Sequence, residues 1–301
     1  MKAAWNAMKS DGKFRRKQSE FRSAITKDGP FLPESGRYHL YVSHACPWAH
    51  RTMMHRALLG LEDHISVSVV DWHMQPDGSW QFDDAVEGAT PDHLYGAKSL
   101  QEVYKRADPE FGGIGTVPIL WDKHEETIVN NESREIIRMF NDVLGPAVGN
   151  GTTLAPAALR PEIDAMIDAN YEPVNNGVYK CGFARTQEAY DEALEAMFTR
   201  LDELEAHLEG KEWLVADQLT EADICLFVTL LRFDPVYHTH FKCNRNLIAQ
   251  MPNLAAHTRR VARLPGIKDT IHTDHIKNHY YWSHTSINPF RIVPAAPAFL
   301  M

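Results

Sequence analysis

The chain has 301 residues, of which 44% are hydrophobic and 24% are charged, and its formal net charge is −9. A chain of this length has room for two globular domains. Its negative charge argues against general affinity for nucleic acid or for anionic membranes, and no apolar run is long enough to span a bilayer. Four cysteines are too few for a disulfide framework, so we expect a cytoplasmic protein in a reducing environment.

Strands and helices alternate in the first half of the chain. The order strand, helix, strand, followed by a hairpin and another helix, is that of the thioredoxin fold. A long segment from Asp71 to Asp108 separates the second predicted strand from the hairpin. The predicted elements are strand 38–42, helix 47–59, strand 64–70, helix 99–106, strands 116–121 and 127–129, and a helix that begins at 131–133.

The second half is predicted to be all helical. Residues 150–156 have the composition of a linker, and after them apolar residues recur every three or four positions from Tyr190 to Leu208. This is the spacing of a helix that buries one face. Thr220 and Asp223 have the spacing of a capping box, which predicts a helix start. We therefore expect an N-terminal extension at 1–36, a thioredoxin-like domain at 37–150 and an all-helical domain at 151–301.

Cys46 lies where the first predicted strand gives way to a helix. Pro47 suits the first helical position, because the amide hydrogen that proline lacks would have no partner there, and Cys46 is therefore the predicted N-cap residue. The free amides and the positive end of the helix dipole favour a thiolate, so the pKa of Cys46 should fall toward neutrality. This placement predicts a nucleophile.

The other three cysteines are better suited to packing in the protein core than to catalysis. They lie in apolar or unpatterned surroundings, and neither they nor the histidines show the paired spacing of metal ligands. We therefore predict no metal site. These residues are Cys181, Cys225 and Cys243.

The residue one helical turn after Cys46 is also informative. A disulfide enzyme with a C-x-x-C motif carries its resolving cysteine there, whereas this chain has Ala49. A mixed disulfide on Cys46 must then be released by a thiol from outside the protein. The pattern indicates a monothiol enzyme.

Two further segments have the chemistry to hold a small peptide. A cis bond before Pro118 would leave the backbone of Val117 without a strand partner and available to a peptide ligand. Glu132 and Ser133 lie at a predicted helix start, where amides and a hydroxyl accept a carboxylate and the acid side chain holds an ammonium group. The structural alternative is that Glu132 only interacts with its own helix and Ser133 is an exposed hydroxyl.

The motif Cys-Pro-Trp-Ala-His-Arg at 46–51 resembles the signature of the glutathionyl-hydroquinone reductases, the cysteine-type Xi class of the glutathione transferase superfamily. Motifs along nearly the whole chain agree with this resemblance. They are Gly-Lys-Phe at 12–14, Thr-Val-Pro at 116–118, Asn-Glu-Ser at 131–133, Asn-Asn-Gly-Val-Tyr at 175–179, Arg-Phe-Asp-Pro-Val-Tyr at 232–237 and His-Tyr-Tyr at 279–281.

The resemblance implies a fold, a reaction and a set of site residues. It implies a thioredoxin-like domain followed by an all-helical domain, glutathione as co-substrate, aromatic hydroquinone conjugates as substrates, and a homodimer. Cys46 is implied as the nucleophile, and Tyr171 and Tyr280 as catalytic residues of a tyrosine-lined pocket. The residues implied to bind glutathione are Trp80, Val117, Pro118, Glu132 and Ser133.

Some alternatives stay open at this level. Trp80 could pack as a lid on its own domain, and each tyrosine could be a helix-interface residue with a satisfied hydroxyl. Ile114 and Gly115 stand where the family usually has an arginine followed by an apolar residue, so a related low-molecular-weight thiol is an alternative to glutathione. For the function, the alternatives are a monothiol thioltransferase or dehydroascorbate reductase of the omega-like type and a non-catalytic adaptor. Conventional conjugation is disfavoured by the cysteine itself.

Overall fold

A computed structural model describes residues 11–16 and 18–301. The described chain forms two compact units. The first comprises residues 18–153 with 269–279, and the second comprises 11–16, 154–268 and 280–301. The predicted N-terminal extension at 1–36 lies partly outside the described residues, and the two domain boundaries drawn from the sequence, after residues 36 and 150, stay predictions.

The first unit contains a mixed four-stranded sheet. Its spatial order is β2-β1-β3-β4, with β1 parallel to β2 and antiparallel to β3, and β3 antiparallel to β4. Every residue of β1 is buried, as expected for a central strand covered on both faces. The described strands are β1 Tyr38–Val42, β2 Ile65–Val69, β3 Ile119–Asp122 and β4 Thr127–Asn130.

Helices join and follow these strands. A π-helical turn, Phe140–Leu144, links the third helix to the fourth. The helices are α1 Pro47–Leu58, α2 Leu100–Ala107, α3 Ser133–Met139 and α4 Gly145–Val148. The predicted thioredoxin-like order is confirmed. One boundary was wrong: β3 begins at Ile119 rather than at Thr116, because Pro118 has no amide hydrogen for a strand ladder.

The second unit is built from helices, which confirms the predicted fold class. The 21-residue helix α7 buries an apolar face, as its sequence periodicity predicts. None of the described helices combines the length and the apolar character needed to cross a bilayer. The helices are α5 Arg160–Asn170, α6 Gly177–Gly182, α7 Gln187–His207, α8 Glu221–Arg232, α9 His238–His240, α10 Pro252–Ala262 and α11 Thr273–Ser283, whose first turns belong to the first unit.

The predicted capping box at the start of α8 is present, and its acid does more than cap. The Asp223 carboxylate accepts hydrogen bonds from the amides of Thr220 at 2.8 Å and Leu214 at 2.9 Å. It also lies 2.9 Å from Nε2 of His257, and both side chains are fully buried. Asp223 therefore ties α8 to the loop before it and to α10, which is a structural role.

Candidate active site

Cys46 is the N-cap residue of α1, at the corner where β1 ends and the helix begins. Its amide donates to Ser43 O at 3.1 Å, and its carbonyl accepts the helical bond from His50 at 3.0 Å. The side chain makes no capping hydrogen bond. Cys46 is half-buried, whereas the other three cysteines are buried. The sulfur therefore lies at the positive end of a helix and is the most accessible thiol of the chain.

The backbone of Val117 lies beside this sulfur. The peptide bond between Val117 and Pro118 is cis, and the Val117 carbonyl oxygen is 3.6 Å from Cys46 Sγ. This carbonyl was predicted to have no strand partner, and it accepts a weak hydrogen bond from the thiol. That bond favours the protonated sulfur, because a thiolate has no proton to donate.

Glu132 and Ser133 form the start of α3. Glu132 is the N-cap residue and accepts from the amide of Arg134 at 3.4 Å, and the Ser19 hydroxyl donates to its other carboxylate oxygen at 3.2 Å. Glu132 thus does interact with its own helix, as the structural alternative states. Ser133, however, is only 2% exposed, and its hydroxyl has no hydrogen-bond partner among the described residues. A buried hydroxyl without a partner is an unusual feature that calls for a ligand or a water.

One tyrosine that the sequence did not single out connects these two segments. Tyr104 extends from α2, and its hydroxyl donates to the carbonyl of Thr116 at 2.8 Å. The same oxygen accepts from Nδ2 of Asn131 at 3.0 Å. Thr116 immediately precedes Val117 and Asn131 immediately precedes Glu132, so one hydroxyl contacts both segments. The sequence signal was only an aromatic residue in an amphipathic helix, which says nothing about partners in two separate loops.

Trp80 is held within the loop that joins β2 to α2. It is 5% exposed, and its ring stacks on the imidazole of His279 with centroids 4.8 Å apart. His279 also donates from Nδ1 to Trp72 O at 2.9 Å. This packing matches the lid alternative for Trp80, and its role in glutathione binding stays a prediction.

A second histidine contact lies two residues before Cys46. The imidazoles of His44 and His272 stack with centroids 3.4 Å apart and an angle of 17° between the rings. Burial lowers the pKa of His272, and His275 lowers it further. Residues 269–279 therefore pack directly against the segment that carries Cys46.

The two tyrosines assigned to catalysis lie in the second unit. Tyr171 is half-buried and opens a π-helical turn, Tyr171–Asn175. The hydroxyl of Tyr280 lies 2.7 Å from that of Tyr179 and 2.9 Å from that of Tyr237. Burial raises the pKa of Tyr280 and of Tyr237 well above the usual value, so both are protonated at neutral pH. Tyr179 and Tyr237 belong to motifs noted in the sequence, but their partnership with Tyr280 was not predicted.

Within residues 11–16 and 18–301, no cluster of three or more His, Cys, Asp or Glu side chains could hold a metal ion.

The fold and the site together invite comparison with known proteins. Residues 45–143 match the family model for the glutathione S-transferase N-terminal domain, and residues 187–260 match that for the C-terminal domain. The glutathionyl-hydroquinone reductase PcpF of Sphingobium chlorophenolicum is 51% identical, covering 98% of this chain and 93% of that protein. The chain belongs to the glutathionyl-hydroquinone reductase family, the Xi class of glutathione transferases. The resemblance stated from the sequence motifs is thus confirmed.

Solved Xi-class structures agree with this membership. The glutathione S-transferase Xi of Phanerochaete chrysosporium superposes with a TM-score of 0.93 at 51% identity, covering 96% of this chain and 94% of that one. The glutathione-bound structure of YqjG from Escherichia coli superposes with a TM-score of 0.90 at 50% identity and covers 93% of each chain. YqjG is also named a glutathionyl-hydroquinone reductase. The Xi-class match therefore covers both units of this chain.

Proposed function

We propose that this Xi-class protein reduces glutathionyl-hydroquinones to free hydroquinones, with Cys46 as the nucleophile and glutathione as co-substrate. The observation that carries the proposal is the position of Cys46 Sγ, at the start of α1 and 3.6 Å from the carbonyl of the cis-proline segment. The names of PcpF and YqjG, two full-length relatives at about half identity, support the same reaction.

The first step breaks a carbon–sulfur bond. The thiolate of Cys46 attacks the thioether sulfur of the conjugate, the bond between that sulfur and the aromatic carbon breaks, and the carbon takes up a proton. The products are the free hydroquinone and a disulfide between Cys46 and glutathione. The electron pair that the thiolate contributes to the new S–S bond balances the pair that leaves with the aromatic carbon.

The second step needs a thiol from outside the chain. Position 49 is a buried alanine, so α1 offers no resolving cysteine one turn after Cys46. A second glutathione attacks the mixed disulfide, which releases oxidised glutathione and regenerates the Cys46 thiolate. The reaction consumes one free glutathione per hydroquinone released.

Glutathione binding would also change the hydrogen bonding of Cys46. The thiol donates to the Val117 carbonyl in this structure. The amide of the ligand's cysteinyl residue would take the place of the thiol as donor to this carbonyl, and the contact that favours the protonated sulfur would be lost. Ligand binding and thiolate formation are thereby coupled through one oxygen atom.

The γ-glutamyl end of the ligand is assigned to the start of α3. The hydroxyl of Ser133, which has no hydrogen-bond partner among the described residues, and the amides of the first helical turn would bind its carboxylate. Glu132 would bind its ammonium group. Trp80 completes the proposed set, covering the ligand from the loop that His279 holds in place.

Tyr171 and Tyr280 are proposed to act on the aromatic ring. Their hydroxyls would hydrogen-bond the ring oxygens and help return the proton to carbon. The hydroxyl of Tyr280 is bonded to those of Tyr179 and Tyr237. Because burial raises its pKa, Tyr280 would act as a fixed hydrogen-bond donor to the ring oxygen, and its two tyrosine neighbours could replace a proton that it passes on. The homodimeric state and the cytoplasmic location expected from the sequence are part of the same proposal. Analytical ultracentrifugation of the purified protein tests the homodimeric state.

The test is incubation of the protein with a glutathionyl-hydroquinone in the absence of free thiol. We expect one hydroquinone released per protein chain and a glutathione adduct on Cys46 by mass spectrometry. Cys46→Ser should give neither, whereas Cys225→Ala, which changes a buried cysteine on α8, should behave like the wild type. An unchanged conjugate would contradict the proposal. Reduction of disulfides or dehydroascorbate alone would indicate the omega-like activity, and no reaction at Cys46 with any substrate would indicate an adaptor.

A further inference from the structure

The hydroxyl of Tyr104 lies between the two segments that the proposed function assigns to glutathione. It donates to the Thr116 carbonyl at 2.8 Å and accepts from the Thr116 amide at 3.3 Å. It also accepts from Asn131 Nδ2 at 3.0 Å. The Thr116 hydroxyl oxygen lies 3.3 Å from the same atom. A phenol has one proton to donate and two lone pairs to accept with, so these partners use its full capacity.

The ring that carries this hydroxyl is itself fixed. Tyr104 is 1% exposed, and its ring stacks on Phe111 with centroids 4.4 Å apart and an angle of 22°. The edge of Phe21 packs against it at 5.7 Å. Because the packing fixes this ring, its hydroxyl holds the groups hydrogen-bonded to it at fixed positions.

The same face of α2 makes a second contact with the loop before Val117. Gln101, one turn before Tyr104, donates from Nε2 to Gly113 O at 2.9 Å and accepts from the amide of Gly115 at 3.3 Å. These bonds reach the loop alone. Of these two side chains, only Tyr104 also contacts Asn131, which lies just before the start of α3.

We propose that Tyr104 is a positioning residue that sets the spacing between the Val117 backbone and the Glu132–Ser133 helix start, and so selects thiols that carry a γ-glutamyl group. The inference rests on the proposed function, since it takes those two segments as the glutathione contacts. A ligand that binds both segments at once depends on their spacing. A thiol compound that reaches only Cys46 does not.

The test compares two disulfides as reagents for Cys46, followed by mass spectrometry without added thiol. Glutathione disulfide transfers one glutathionyl group to Cys46 and releases glutathione, whereas bis(2-hydroxyethyl) disulfide transfers a small group with no γ-glutamyl end. For Tyr104→Phe we expect the rate constant with glutathione disulfide to fall about tenfold, as for the loss of hydrogen bonds that hold a binding site. The rate constant with bis(2-hydroxyethyl) disulfide should stay within about twofold.

Tyr38→Phe is the matched control. Tyr38 is a fully buried tyrosine of the same unit, and its hydroxyl donates to Leu32 O at 2.6 Å, in neither ligand segment. Its removal should leave the ratio of the two rate constants unchanged. Asn131→Ala removes the hydrogen bond between Asn131 and the Tyr104 hydroxyl from the other side. It should reproduce the selective fall in the rate constant with glutathione disulfide even if Tyr104→Phe fails to fold.

Each other result contradicts the inference. If Tyr104→Phe and Asn131→Ala keep the wild-type ratio, the hydroxyl does not set the spacing. If both rate constants fall in parallel, Tyr104 has a general structural role only. A wild-type protein that reacts equally fast with both disulfides would overturn glutathione as the ligand, and the positioning role with it, so the two failures are distinguishable.

Discussion

The imidazole of His279 stacks on the indole of Trp80, with ring centroids 4.8 Å apart and an angle of 24° between the rings. The same imidazole donates to the carbonyl of Trp72 at 2.9 Å. One helical turn earlier on α11, His275 donates to Glu87 O at 2.6 Å. A helix from the end of the chain thus holds the long loop after β2 at three points, and this loop carries the tryptophan assigned to glutathione.

The first prediction concerns this loop. His279→Ala should increase amide hydrogen exchange in residues 72–82 about tenfold in the ligand-free protein, because a ring stack and a hydrogen bond are both lost. Hydrogen exchange measured by mass spectrometry gives the result without any substrate. His279→Phe keeps a ring against Trp80 and should show a smaller increase. Equal exchange in all three proteins would mean that the loop is held by other contacts.

The second prediction concerns the buried hydroxyl of Ser133, which has no hydrogen-bond partner within residues 11–16 and 18–301. A buried hydroxyl without a hydrogen bond destabilises a folded protein, so Ser133→Ala should raise the free energy of unfolding by about 1 kcal/mol. The same change should raise KM for a glutathionyl-hydroquinone about fivefold, since the ligand carboxylate loses a donor. Urea unfolding and steady-state kinetics measure the two effects.

Ser68 supplies the control for Ser133. It is also a buried serine, but its hydroxyl lies 3.0 Å from Nε2 of His39 and accepts from the amide of His93 at 3.1 Å. Ser68→Ala should therefore destabilise the protein and leave KM unchanged. If Ser133→Ala destabilised the protein to the same extent, its hydroxyl would have partners in the free protein and the assignment to the ligand would weaken.

The third prediction is a pH dependence of stability. Burial lowers the pKa of His39 from 6.5 to about 3. Between these two values the unfolded chain binds a proton that the folded protein does not, so stability is lost as the pH falls below 6.5. This histidine alone should remove about 1.4 kcal/mol of stability per pH unit in that range.

The measurement is the free energy of unfolding in urea at several pH values between about 5 and 7. His39→Gln should reduce the slope of the unfolding free energy against pH by the contribution of one proton, about 1.4 kcal/mol per pH unit. His55→Gln should do the same, because burial lowers the pKa of His55 to about 3 as well. Ser66→Ala removes a hydrogen-bond partner of His39 at 2.8 Å but no titrating group, so it should lower stability without changing the slope.

The fourth prediction concerns Asp223. Asp223→Ala leaves the start of α8 without its cap and His257 without its buried partner, and the free energy of unfolding should fall by about 3 kcal/mol. The glutathione adduct should still form on Cys46 in the protein that remains folded. Asp217→Asn, at an exposed position in the loop before α8, should change neither. Loss of adduct formation in folded Asp223→Ala would instead indicate a role in the site.

Much of the fold followed from local patterns. The strand before Cys46 and the helix after it were predicted with ends within a residue of those observed, because hydrophobic period and the proline at a helix start are properties of consecutive residues. The capping box at Thr220 and Asp223 was found for the same reason. The start of β3 was missed because the ladder depends on which residues have an amide hydrogen to donate, and Pro118 does not.

What the sequence by itself determined is the placement of Cys46 at a helix N-terminus with no cysteine one turn further on, because this placement depends only on neighbouring residues. The family membership was likewise carried by short local motifs. What only the tertiary structure decided is how Cys46 and the segments around it are surrounded. The Val117 oxygen beside Cys46, the Tyr104 hydroxyl between two loops and the His279 ring on Trp80 join residues far apart in the chain. Contacts of this kind arise from the packing of whole elements, which no local periodicity encodes.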